Sequence, residues 1–124
     1  MNVLIVALDS VIPAEMPDAE VLVVAPALNS RLRHWLSDDD DARRRAEELV
    51  AAFVQRLERS GVHVEGRVGD ADPLLAIADV LPTFPADEIV IAAEAERADE
   101  LLLRAHCRFA LPVFRSGESL PRAA

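Results

Sequence analysis

Residues 91–100 read IAAEAERADE. An apolar run gives way there to a helical pattern. In α/β proteins that junction is where phosphates bind, through glycine backbone and helix N-terminal amides. This junction has no glycine, and Glu94, Glu96, Asp99 and Glu100 surround a single basic residue, Arg97. A carboxylate about 4 Å from a phosphate charge costs roughly 4 kcal/mol at an effective dielectric near 20. Losing the glycine amides also removes the compensating donors. A few such terms abolish micromolar binding, which is worth only about 8 kcal/mol. A divalent ion between acid and phosphate would reverse the sign. The plainer reading is an acidic first helical turn favoured by the helix dipole. Both readings disfavour a triphosphate bound without metal, and no cofactor is expected.

The other reactive side chains form no recognisable set. The run Asp38 to Asp41 lacks the alternating ligands and glycine of a calcium loop, and reads as a solvated helix start. His34, His63 and His106 fall on different elements, with no second ligand at metal spacing, and read as surface or interface histidines. His106 and Cys107 are adjacent and point about 100° apart on a helix, poor geometry for a nucleophile and its base. Cys107 reads as a small residue packed at a helix flank. Trp35, with Arg31, Arg33 and His34, makes one locally basic, aromatic patch. It reads first as a side chain tucked against the domain edge, and second as a contact with a partner protein or anion. No Ser-His-Asp set, P-loop or dinucleotide fingerprint is present. No catalytic residue and no metal ligand are therefore expected, and the chain reads as a non-enzyme.

The 124 residues suit a single domain with one core. At 52% hydrophobic and 28% charged, the chain should be globular. A net charge of -9 argues against nucleic acid or an anionic membrane surface as partner. No apolar run approaches the ~20 residues of a membrane span. The opening MNVLIVALDS has no basic n-region and reads as a strand rather than a signal peptide. The single cysteine, Cys107, is compatible with a reducing cytoplasm, the expected location.

The elements that must position these residues alternate. Apolar runs at 2–8, 21–25, 62–68, 88–93 and 111–115 predict strands. The continuous ones suit strands buried on both faces of a parallel sheet, and the alternating VHVEGRV suits an edge. From Asp41 to Arg59, Ala42, Ala46, Leu49, Val50, Phe53, Val54 and Leu57 make a stripe of helical period, with Gly61 placed as a C-terminal cap. Asp72 and Pro73 start a shorter helix to about Leu81, ended by PTFP. A last helix runs from about Arg97 to Phe109. This order predicts an α/β fold with a parallel sheet and right-handed crossovers. Residues 1–115 form the domain and 116–124 a flexible tail.

Several pieces in order resemble the universal stress protein family: VLIVALDS for its first strand and Asp, VGDADPLLAIADV for the third strand end and following helix, ADEIVIAA for the fourth strand, and RFALPVF for the closing helix and fifth strand. The resemblance spans roughly residues 2–115. It implies a small doubly wound, five-stranded sheet in the order 3-2-1-4-5, helices on both sides, and frequent homodimers. Many family members bind ATP through G-x2-G-x9-G-[ST] after the fourth strand. The corresponding segment, Ala92 to about Leu102, has none of those glycines and looks shortened, so ATP is not expected to bind. Asp9 matches the family Asp that contacts the nucleoside, and Gly69 the Gly near the adenine. With Ala93 and Glu94 they are the residual nucleotide-site candidates. The plainer readings are that Asp9 caps the end of strand 1 on nearby backbone amides, and that Gly69 makes a tight turn needing positive φ.

The resemblance and the sequence part at the first crossover. Only about a dozen residues separate strands 1 and 2, and Pro13 and Pro17 break any full helix there. The missing or reduced helix should leave alternate members of Val3, Leu4, Ile5 and Val6, with Val21 to Val24, poorly covered. Such a strip would be a surface for self-association or a protein partner, unless Val11, Ile12 and Met16 fold down as a plug. The function expected from all this is a non-catalytic, ATP-independent module of this family, acting through protein contacts, with stress response implied by the resemblance. The alternative is a regulatory module that binds a nucleoside or mononucleotide at Asp9 and Gly69.

Overall fold

The continuous apolar runs become the three central strands, paired on both edges and covered on both faces, and the covered faces are why they carry few polar residues. The computed structural model describes residues 1–13, 19–27 and 39–116. Strand β1 (Asn2–Ala7) lies at the centre, β2 (Glu20–Pro26) on one side and β4 (Glu88–Ala92) on the other. The outer strands are β3 (His63–Gly69) beside β2 and β5 (Val113–Arg115) beside β4. All pairings are parallel and the order is β3-β2-β1-β4-β5, an open α/β sheet of Rossmann-like arrangement. On β3, at the edge, His63, Glu65 and Arg67 are exposed, as its alternation predicts.

Three helices complete the described fold: α1 (Asp39–Arg59), α2 (Pro73–Val80) and α3 (Ala95–Arg108). The C-terminus of α1 closes as a Schellman motif. The Gly61 N–H donates to Glu58 O and the Val62 N–H to Leu57 O, with Gly61 at φ 82°. Leu57 and Val62 are both buried beneath that turn. Helix α2 starts as the sequence predicts, with the Asp72 carboxylate accepting from the Leu74 N–H and Pro73 in the first turn. Helix α3 starts at Ala95 rather than near Arg97, so Glu94 is its N-cap residue.

Strand side chains divide by the period of two. Leu4, Val6, Leu22, Val24, Ile89 and Ile91 pack with Leu74, Ile77 and Leu101 of α2 and α3. Val3, Ile5, Val21, Val23 and Val90 pack with Ala46, Phe53 and Leu57 of α1. The expected uncovered strip does not exist: Val3, Leu4, Ile5 and Val6 are 0% exposed, and Val21 to Val24 no more than 2%. Within the crossover, Ile12 packs at the margin of the α1-side cluster and the Val11 carbonyl accepts from Ser116 Oγ at 2.7 Å. Val11 and Ile12 therefore lie against the domain. Met16 lies outside the described residues, as does Trp35. Ser116, expected to begin a flexible tail, is held: its N–H donates to Ile91 O at 2.8 Å. Residues 117–124 lie outside the described set. No helix among the described residues is long and apolar enough to cross a membrane.

Candidate functional site

The order of the sheet reverses between β1 and β4, and in open α/β sheets ligands bind at that reversal, outside the carboxyl ends of the strands. The two strands are in register, Ala7 opposite Ala92. Beyond that pair the Ala92 carbonyl accepts from both the Leu8 and Asp9 N–H groups, at 2.9 and 3.0 Å. This clamp turns the chain leaving β1 toward the start of α3.

The Asp9 carboxylate is thereby placed at the N-terminus of α3. Its Oδ2 accepts the Glu94 N–H at 2.8 Å and its Oδ1 accepts Arg97 Nη1 at 2.9 Å. In a capping box, a Glu or Gln at N3 would take the N-cap N–H. Here N3 is Arg97, which has only donors to offer, and the Glu94 side chain makes no capping bond. Asp9 satisfies both residues from another strand. Asp9 does bond a backbone amide at the end of strand 1, and that amide is 85 residues away in the chain. A single carboxylate thus holds a main-chain amide and a guanidinium, the donor set that would otherwise face a phosphate at this position.

The other candidates are placed differently. Ala93 is buried, 4% exposed, in the α2 and α3 side of the core and offers no open wall. The side chain of Glu94 is exposed. Gly69 is the last residue of β3, and Gly61 is the residue with positive φ among the described glycines, so the expected tight turn at Gly69 is corrected. A Cβ on Gly69 would stand 2.8 Å from both Ala76 Cβ and Val24 Cγ2. The glycine is there because α2 packs directly on the strand end.

Beside the Asp9 contact lies a cleft of about 180 Å³ between α2 and α3. Leu8, Pro73, Leu74 and Leu101 form its apolar lining, and Asp72, Arg97, Glu100 and Arg104 its charged rim. Glu100 and Arg104 were not legible as site residues. The only sequence signal is the spacing of Arg97, Leu101 and Arg104, which places one face of α3 toward α2.

Among the described residues the scattered reactive groups stay scattered, and His34 and Asp38 lie outside them. His63 and His106 are exposed. Cys107 is an exposed free thiol, not packed at a helix flank as expected, because α3 turns its Ala98, Leu101 and Ala105 side to the core. Asp41 pairs with Arg44 at 3.6 Å on the exposed start of α1. Among the described residues no three His, Cys, Asp or Glu side chains gather as a metal-binding group. No protein-family model matches the chain, and no curated protein does.

Proposed function

We propose that this chain is a non-catalytic module, similar to universal stress proteins, that does not bind ATP and acts through protein contacts or self-association. A homodimer and a cytoplasmic, stress-related setting are what the resemblance adds. The observation that carries the reading is the Asp9 carboxylate bound to the Glu94 N–H and Arg97 Nη1. An incoming phosphate would have to displace a tethered carboxylate from those donors and then sit beside it, at roughly 4 kcal/mol per unit pair of like charges about 4 Å apart. The alternative, a nucleoside or mononucleotide at Asp9 and Gly69, is disfavoured by the same bonds and by the packing of Ala76 on Gly69.

Calorimetric titration with ATP, AMP and adenosine, with and without Mg²⁺, tests the reading. No saturable heat is expected for any of them. Micromolar affinity that disappears in Asp9→Ala would establish the alternative instead. Sedimentation equilibrium of the same protein tests self-association: a dimer is expected, and a monomer that also captures no protein partner would remove the second half of the proposal.

A further inference from the structure

The cleft between α2 and α3 carries an electrostatic feature that the α3 sequence alone would not predict. Two of its four rim charges are committed: Asp72 Oδ1 accepts the Leu74 N–H at 3.0 Å, and Arg97 donates to Asp9 at 2.9 Å. The other two, Glu100 and Arg104, form no hydrogen bond or ion pair among the described residues. They are spaced i, i+4 with the acid N-terminal, the arrangement that favours a pair on a helix. On α1, comparable spacings do close, Arg43 on Glu47 at 3.5 Å and Arg44 on Asp41 at 3.6 Å. The cleft therefore presents a separated cation and anion above an apolar floor in which Leu74 and Leu101 are each 6% exposed.

A ligand of one sign would meet one of these groups as a like charge. A neutral apolar molecule would leave both without a partner while covering them. The complement is a molecule that carries both signs close together and an apolar group beside them. At about 180 Å³ the cleft is also smaller than the ~300–1,000 Å³ of most cofactor and drug-sized ligand sites. We propose that this cleft binds a small zwitterion, a free α-amino acid with a short apolar side chain, its carboxylate on Arg104, its ammonium on Glu100 and its side chain on Leu8, Leu74 and Leu101. Arg97 lies one turn before Glu100 on α3 and is already paired with Asp9, so it is not assigned to the ligand. This site is independent of whether ATP binds at the β1 and β4 ends.

The experiment is a ¹H–¹⁵N NMR titration of the full chain with L-valine, L-leucine and L-methionine. Two analogues of leucine, 4-methylpentanoate and isoamylamine, each lack one of its charges. At least one amino acid is expected to shift the Leu8, Leu74 and Leu101 amides saturably, with a dissociation constant of about 1 mM or below. Each analogue, and each of the variants Glu100→Gln and Arg104→Gln, should weaken binding by about tenfold or more. Both substitutions lie on the exposed side of α3, so the rest of the spectrum should be unchanged and reports that the fold is intact. Absence of saturation with all these amino acids at about ten times that concentration overturns the proposal. So does equal affinity for 4-methylpentanoate and leucine, or binding untouched in both variants.

Discussion

Asp9 holds two donors from the start of α3, and removing its carboxylate frees both at once. The two bonds are unequal in worth. Arg97 is 48% exposed, so its ion pair with the 23%-exposed Asp9 is screened and contributes no more than about 1 kcal/mol. The Glu94 amide is a main-chain donor at a helix start and has no other partner there. Asp9→Ala should cost about 1–2 kcal/mol in denaturant unfolding, and Arg97→Ala less than about 1 kcal/mol. Asp9→Asn keeps an oxygen for the amide and should fall between them. A cost for Arg97→Ala equal to that of Asp9→Ala would mean that the guanidinium, not the amide, is the main partner. The type of residue 9 was legible in the sequence. Its partner was not, because a side chain reaching across 85 residues leaves no local pattern.

Among the elements, what could be read was what repeats. The stripe of α1, the Asp72–Pro73 start of α2 and the continuous runs of β1, β2 and β4 follow from a period, a cap and unbroken apolarity respectively, and each is found. What could not be read was contact between elements. Gly66 and Gly69 look alike in sequence, yet they mark where α1 and α2 respectively lie closest to β3. A Cβ on Gly66 would overlap Val50 Cγ1 and stand 3.0 Å from Val54 Cγ2. Gly66→Ala should therefore destabilise by about 1–3 kcal/mol through overpacking. Adding Val50→Ala should recover part of that loss, a favourable coupling measurable in a double-mutant cycle. If the two changes simply add, α1 is not seated on Gly66. At Gly61 the cost is of another kind. Nothing lies within 4 Å of a Cβ there, so only the φ of 82° matters. Gly61→Ala should cost about 1–2 kcal/mol, and Gly61→Asn, which tolerates left-handed backbone, less.

At the scale of the whole molecule, the short connection between β1 and β2 is the feature with most consequence. Counting helices from the sequence predicts a bare strip on β1 and β2, but burial depends on every segment that reaches the sheet. Val3, Ile5, Val21 and Val23 are sealed on the α1 side. The sealed strip withdraws one reason for self-association and leaves that property to the resemblance and to direct measurement. It also fixes where stability should reside. Strand β1 is paired on both edges and buried on both faces from Val3 to Ala7, whereas β5 has three residues and one partner strand. Local opening requires few contacts to be broken at β5 and nearly all of them at β1. In native-state hydrogen exchange, the amides of Leu4, Ile5 and Val6 should exchange only through global unfolding, with the denaturant dependence of the whole transition. The amides of β5 should exchange through smaller openings with little dependence on denaturant. Exchange from β1 as fast as from β5 would show that the α1 side of the sheet opens without unfolding, and that the sealed strip is a gate rather than a core.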